Sequence, residues 1–156
     1  MLLKDILTDE AFQIGINSSN KEGIIQEIAN FFETAYGLDN KTIFTALWNR
    51  EQKGSTGLGK GLAIPHARIP NSGSMKLAVF YVANGKDFQS YDGIPTQLFV
   101  AAIIDEDTQA QEQLEMLKII VETCEKTDLI KALKDVHSKA SLKDIVIRRI
   151  TEIQNN

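Results

Sequence analysis

The fold is decided by two nearly continuous apolar runs, LAVFYVA at residues 77–83 and LFVAAII at residues 98–104. Strands that are apolar on both sides need cover on both faces of their sheet. Helical patterns occur on both sides of these runs along the chain, so helices are available to provide that cover. The two runs therefore predict an α/β fold in which a mixed β-sheet is flanked by helices on both faces. We expect a single domain that spans residues 1–156.

Two shorter segments also have strand character. Residues 12–16 alternate between apolar and polar side chains, as in a half-buried strand, and Leu62-Ala63-Ile64 forms a short apolar run that ends at Pro65. The predicted order is one strand, two helices, three strands and then helices.

Two helices are predicted between the first strand and the second. One follows Ser19, which has Glu22 three residues on in the spacing of a capping box, and this helix ends at Gly37. The other is capped by Asp39 and runs to about Gln52. Three more are predicted after Asp107, the last of them capped by Ser141. The first of these three presents one apolar face, made of Leu114, Leu117, Ile120, Val121 and Cys124.

Composition excludes several classes of function. The chain has 17 Lys and Arg against 21 Asp and Glu, which argues against nucleic acid or an anionic membrane as the main partner. No apolar run approaches the roughly 20 residues of a membrane span, and the first residues do not resemble a signal peptide. Cys124 is the single cysteine, which excludes an internal disulfide and fits a reducing compartment. We therefore expect a soluble cytoplasmic protein without membrane insertion.

The segment with the clearest chemical signal is GSTGLGKG at residues 54–61, followed by LAIPHAR. Glycines at this density allow several backbone N–H groups to converge on an anion. Ser55 and Thr56 add hydroxyl donors beside Gly57, and Arg50 adds a positive charge. His66 follows a short strand and a proline, a position typical of functional side chains.

Three interpretations of this segment compete. It can be an inactive glycine-rich turn with a surface histidine, which local composition alone favours. It can be a nucleotide-binding loop, but Gly61 stands where that motif needs a hydroxyl, and the segment runs from helix into strand instead of the reverse. It can be a phosphohistidine site.

The phosphohistidine interpretation has a chemical basis. A neutral imidazole keeps one ring nitrogen free to attack phosphorus near pH 7, while the other is oriented through its N–H, most simply by a backbone carbonyl. Phosphoryl transfer needs positioning and charge stabilisation, which Arg50, Ser55, Thr56 and backbone N–H groups can supply. The step requires no cofactor and no metal site.

Taken together, Arg50-Glu51, Ser55-Thr56-Gly57 and Gly61-Leu62-Ala63-Ile64-Pro65-His66 resemble enzyme IIA of the bacterial phosphotransferase system, fructose/mannitol type. This family includes the nitrogen-regulatory IIA proteins. The downstream Asp92-Gly93-Ile94-Pro95 and the final Ser141-Leu142-Lys143-Asp144-Ile145 are similar to the family as well, so the resemblance extends over nearly the whole chain.

The resemblance implies a phosphotransferase component, a histidine phosphocarrier. In this family, the histidine matching His66 accepts a phosphoryl group from phosphorylated HPr, or from its nitrogen-branch counterpart, and passes it to a IIB component for sugar uptake. The arginine matching Arg50 assists at the phosphoryl site, and we expect Ser55, Thr56 and Gly57 to bind phosphate. Neither the sugar nor the oligomeric state follows from these residues.

One position departs from the family pattern. Where the family has a second histidine, this chain has Gln113, whose amide can donate a hydrogen bond but cannot titrate. The other histidine, His137, does not match that position, and we expect it at the surface. A sugar-pathway carrier is the first hypothesis. The alternative is a regulatory protein whose phosphorylation at His66 controls its binding to other proteins.

Overall fold

The computed structural model describes residues 1–155, so Asn156, the last residue of the predicted domain, lies outside the described residues. This part of the chain contains six strands: β1 (Phe12–Ile14), β2 (Gly57–Gly59), β3 (Leu62–Ala63), β4 (His66–Ile69), β5 (Lys76–Lys86) and β6 (Thr96–Asp105). It contains six α-helices: α1 (Leu3–Ile6), α2 (Lys21–Tyr36), α3 (Asn40–Gln52), α4 (Ala110–Thr127), α5 (Leu129–Ala132) and α6 (Lys139–Gln154).

The strands form one mixed sheet. The two long strands, β5 and β6, are antiparallel neighbours at its centre, with Val79 opposite Val100. β1 pairs in parallel with β5, while β3 and β4 both pair in parallel with β6 and β2 pairs antiparallel with β3. The predicted mixed sheet is confirmed.

The two apolar runs are buried on both faces, as the sequence predicts. One core lies between the sheet and helices α1, α4, α5 and α6, and the other lies between the sheet and helices α2 and α3. Alternate residues of the same strand supply them: Val79 and Tyr81 belong to the first core, and Ala78 and Phe80 to the second. Helices therefore cover both faces of the sheet, as predicted.

β3 and β4 are two parts of one interrupted strand. Leu62 lies opposite Leu98 and His66 opposite Ala102, which is the same register along β6. Pro65 has no N–H to donate, but its carbonyl still accepts from the Ala102 N–H at 2.9 Å. The predicted strand ends at Pro65, whereas the chain resumes the same edge at His66, which begins β4 instead of following a strand end.

Two of the predicted helix caps are wrong. The α2 cap is Asn20, whose side-chain oxygen accepts from the Gly23 N–H at 2.8 Å, and not Ser19. The α6 cap is Ser138, which accepts from the Ser141 N–H at 3.1 Å. In both cases a polar residue that precedes the first helical residue, with extended backbone dihedrals, accepts from the N–H three positions on. Asp39 caps α3 as predicted.

Three other elements differ from the prediction. β2 and α1 are absent from the prediction because a three-residue Gly-Leu-Gly strand and a four-residue helix are too short to show a period. β1 ends at Ile14, two residues earlier than predicted, since Gly15 adopts a positive φ of 86°.

Cys124 is half-buried, and burial raises the pKa of its thiol to about 12.

Candidate functional site

His66 is a buried polar residue that lines the cavity of the candidate site. Its residue is 8% exposed, so the interpretation of a surface histidine does not hold. Its ring Nδ1 lies 2.7 Å from the carbonyl oxygen of Ile64. Because a carbonyl can only accept, Nδ1 carries the hydrogen and Nε2 keeps a free lone pair. His137, in contrast, is exposed, as expected.

Burial also sets the charge of this ring. Desolvation lowers the pKa of His66 below its ordinary value of 6.5 and outweighs the hydrogen bond to the Ile64 carbonyl, which raises it. The positive charge of Arg50 lowers the pKa further, and the Glu51 carboxylate opposes it with a smaller effect. The imidazole is therefore neutral near pH 7, the form that can act as a nucleophile.

A cavity of about 420 Å³ opens in front of His66. One wall comes from the glycine-rich segment and the end of α3, with Arg50, Ser55, Thr56 and Leu58. The opposite wall comes from α4 and consists of Leu114, Leu117, Lys118, Val121 and Glu122. The cavity thus combines a largely apolar wall with a few polar groups that converge on one imidazole.

The apolar wall of α4 corrects the predicted face of this helix. Met116, Ile119, Ile120 and Thr123 face the core, whereas Leu114 is 66% exposed and lines the cavity with Leu117 and Val121. Of the predicted stripe, Ile120 belongs to the core, and Leu117, Val121 and Cys124 are partly buried against that core, whereas Leu114 is mostly exposed. Sequence periodicity shows an apolar face, but it does not distinguish a core from an open groove.

The segment around Ser55 is held by hydrogen bonds of its own. The Ser55 hydroxyl oxygen accepts from the Gly57 N–H at 3.0 Å. Thr56 donates its N–H to Glu51 Oε2 at 2.9 Å and its hydroxyl to Glu51 Oε1 at 2.5 Å. The donors of Thr56 and the N–H of Gly57 are therefore engaged within the loop, while the Ser55 hydroxyl hydrogen is not.

Arg50 lies beside this loop at the end of α3. One of its guanidinium nitrogens donates to the Gly54 carbonyl at 2.9 Å, which holds the side chain along the loop and at the edge of the His66 cavity. The remaining N–H groups of the guanidinium can reach an anion in that cavity. His66, Arg50, Ser55 and Thr56 thus line the same cavity.

Gln113 is not among the residues that line the His66 cavity. Its side-chain oxygen accepts from Arg68 Nε at 2.8 Å, and Arg68 also donates to the carbonyls of Glu106 and Thr108. The two residues line a neighbouring hollow that shares Leu114 and Leu117 with the His66 cavity. Gln113 therefore stands next to the candidate site, anchored by a guanidinium.

The sequence analysis included Glu51 in the family motif without a role of its own, and it missed Lys21. Glu51 is 5% exposed and forms a 2.6 Å ion pair with Lys21. Glu51 could have been found, because it continues the buried i, i+4 series of Ile43 and Leu47 along α3. No comparable spacing points to Lys21, which comes from the start of α2.

Residues 1–155 contain no group of three or more His, Cys, Asp or Glu side chains that could hold a metal ion. Within the same part of the chain, no helix combines the length and the apolar character needed to cross a membrane.

Comparison with known proteins identifies the family. The model of the phosphoenolpyruvate-dependent sugar phosphotransferase system, EIIA 2, matches residues 5–148. The chain is 31% identical over 154 residues to a nitrogen regulatory protein of Pseudomonas aeruginosa, which covers 98% of this chain and 97% of that protein. It is 29% identical over 147 residues to the fructose-specific EIIABC component of Bacillus subtilis, covering 94% of this chain and 23% of that protein.

A solved structure supports the same assignment. The crystal structure of nitrogen regulatory protein IIA-Ntr from Neisseria meningitidis superposes with a TM-score of 0.83 at 26% identity, and the match covers 93% of this chain and 99% of that one. The similar fold and the family-model match over residues 5–148 lead to the same assignment. The chain belongs to the EIIA 2 family of the phosphoenolpyruvate-dependent sugar phosphotransferase system.

Proposed function

We propose that this chain is a phosphoryl carrier that accepts a phosphoryl group on Nε2 of His66. The observation that supports this most directly is the hydrogen bond from Nδ1 to the Ile64 carbonyl, because it leaves Nε2 as the ring nitrogen with a free lone pair. The lowered pKa of His66 keeps that lone pair available near neutral pH.

The transfer step balances without a proton shuttle. The Nε2 lone pair forms a bond to phosphorus while the bond from phosphorus to the donor breaks, and the donor atom keeps the electron pair. Nδ1 retains its hydrogen throughout, and positive charge develops on the ring. The Ile64 carbonyl then accepts from a charged donor, which strengthens its hydrogen bond.

Two groups in the cavity are suited to stabilise the negative charge of the moving phosphoryl group. Arg50 supplies a guanidinium with free N–H groups, and Ser55 supplies a hydroxyl hydrogen. Thr56 and Gly57 contribute by holding the loop in shape, since their own donors are already engaged.

The donor we propose is phosphorylated HPr or its nitrogen-branch counterpart, and the acceptor is a IIB component. Family membership and the similarity to the fructose-specific EIIABC component of Bacillus subtilis support this assignment. Such a partner would exclude water from the reaction by packing on apolar residues of both walls, Leu58 on one and Leu114 and Leu117 on the other.

A regulatory role is the second candidate. It is favoured by the similarity to nitrogen regulatory proteins, which extends over 98% of this chain in the case of the Pseudomonas aeruginosa protein. In that role, the phosphoryl group on His66 changes the charge of the surface around the cavity and so changes which proteins bind there.

The first experiment is phosphorylation of the pure protein by phosphoenolpyruvate, enzyme I and HPr, or the nitrogen-branch donor pair. We expect a single acid-labile adduct by intact mass in the wild type and in His137→Ala, and none in His66→Ala. Absence of an adduct with both donors would rule out the carrier function.

Adding a fructose-type IIB domain to the purified adduct then separates the two candidates. Rapid loss of the phosphoryl group to IIB supports the sugar-pathway carrier. An adduct that survives IIB supports the regulatory role.

A further inference from the structure

A buried ion pair lies directly behind the loop that carries Ser55. Lys21 Nζ is 2.6 Å from Glu51 Oε2, and the two side chains are 10% and 2% exposed. Burial of two charges costs desolvation energy that their attraction repays only in part, so such a pair is weak evidence of a purely stabilising role. The contacts of Lys21 and Glu51 with the loop indicate a role for the pair in the candidate site.

Glu51 and Lys21 contact consecutive residues of the loop. Glu51 accepts both the N–H and the hydroxyl of Thr56. Lys21 Nζ lies 3.3 Å from Ser55 Oγ and 4.8 Å from the centre of the Phe88 ring, which limits the directions in which the ammonium group can point.

Ser55 Oγ therefore has two donors directed at it. One is Lys21 Nζ, and the other is the Gly57 N–H at 3.0 Å. A hydroxyl has two acceptor positions and one hydrogen, so both acceptor positions are occupied and the hydrogen has to point elsewhere. Within residues 1–155 no acceptor takes that hydrogen, and Ser55 lines the cavity of His66.

We propose that Lys21 is a positioning residue of the phosphoryl site: it binds Ser55 Oγ as an acceptor, so that the Ser55 hydroxyl donates to a phosphoryl oxygen on His66. This inference rests on the proposed function. Lys21 also polarises the hydroxyl, because a donor that accepts from an ammonium group donates more strongly itself. Without Lys21 the hydroxyl is free to rotate, and the cavity loses a preorganised donor.

The test measures single-turnover transfer from the phosphorylated donor to this protein. Removal of one preorganised donor from a buried site slows catalysis by roughly 10²–10³-fold, and for the exposed Ser55 we expect about tenfold. Ser55→Ala and Lys21→Met are expected to lower the maximal rate to the same extent, with the donor concentration for half-maximal rate unchanged. Lys21→Arg, which keeps the charge and the donors, restores most of the rate.

The decisive comparison is the double variant Lys21→Met with Ser55→Ala. If Lys21 acts through Ser55, this variant is no slower than Ser55→Ala alone. The inference would be overturned if the rate reductions of the two single variants multiplied in the double variant. It would also be overturned if Lys21→Met transferred as fast as the matched control Lys53→Met. Lys53 is an exposed lysine at the C-terminal cap of α3, directly before Gly54.

Lys21→Met leaves the Glu51 carboxylate buried without its partner, which can prevent folding. Lys21→Met combined with Glu51→Gln removes both charges of the pair. The transfer rate of this double variant is then compared with and without Ser55→Ala, and circular dichroism checks that each protein is folded. Failure of the proposed function gives a different result, since the wild type itself would then take up no phosphoryl group on His66.

Discussion

His66 combines burial with a single directed hydrogen bond. The Ile64 carbonyl holds Nδ1–H, and the surrounding apolar groups keep the ring in its neutral form. A fully exposed histidine would be partly protonated near pH 6.5, and both of its tautomers would be populated. The local backbone therefore selects one nitrogen before any partner binds.

Nuclear magnetic resonance of the imidazole nitrogens can check both properties. In His137→Gln the remaining histidine signal is that of His66, and we expect a neutral ring protonated on Nδ1 with a titration midpoint below 6.5. The midpoint falls because burial disfavours the charged form. A midpoint at or above 6.5, or a ring protonated on Nε2, would contradict this description of the site.

Thr56 is the residue that ties the loop to the interior. Thr56→Val keeps the shape of the side chain but leaves Glu51 Oε1 without its hydroxyl donor, so we expect a loss of about 1–3 kcal/mol in the free energy of unfolding. Thr56→Ser keeps the hydroxyl and is expected to cost less. Urea denaturation of both variants measures the difference, and equal losses would show that the hydroxyl bond contributes nothing.

Helix α4 has two working faces. Met116, Ile119 and Ile120 pack on the sheet, while Leu114, Leu117 and Val121 turn toward the cavity of His66. The helix therefore supports the fold with one side and forms a wall of the candidate site with the other, and substitutions on the two sides should have different effects.

Met116→Ala and Leu114→Ala test this division. Met116 is fully buried, so its truncation is expected to lower the free energy of unfolding by about 2–5 kcal/mol. Leu114 is mostly exposed, and its truncation is expected to change that energy by less than about 0.5 kcal/mol. An equal loss in the two variants, or a larger loss for Leu114→Ala than for Met116→Ala, would show that Leu114 and not Met116 faces the core.

The whole molecule places the site where its two helical layers meet at one edge of the sheet. Helix α3, on one face, delivers Arg50 and Glu51, and helix α4, on the other face, delivers the apolar wall. His66 lies on β4 between them. Because both layers contribute, the site exists only in the folded domain.

Protonation of His66 is linked to folding, so the free energy of unfolding depends on pH. The pKa of His66 is lower in the folded state than in the unfolded chain, so the unfolded state binds more protons below about pH 6.5 and stability falls as pH drops through that range. Folding lowers the pKa values of Asp39, Asp92 and Asp105 as well, but their stabilisation is lost only below 3.8.

Urea denaturation between about pH 7.5 and about pH 5 measures this effect. We expect the free energy of unfolding of the wild type to fall over that interval, and the fall to be smaller in His66→Gln, which cannot titrate. An equal fall in the two proteins would assign the pH dependence to other groups.

Much of the architecture follows from local patterns. The apolar runs of β5 and β6 require cover on both faces, and the periodic helices supply it, so the layered fold is predictable. The motif ending in Pro65-His66 likewise indicates the residue that we propose as the phosphoryl acceptor. The helix caps and the face of α4 are less predictable, because neighbouring residues meet the same local requirement equally well.

The amino-acid sequence by itself determined the α/β class, the main helices and long strands, and the glycine-rich segment that precedes His66. Only the tertiary structure decided which ring nitrogen is free, that Thr56 donates to Glu51, and that Lys21 reaches Ser55. The physical reason is the distance along the chain over which each interaction acts. Periodicity and turn residues act over a few positions, whereas Lys21 and Ser55 lie 34 positions apart and meet only because two helices pack on the same face of the sheet.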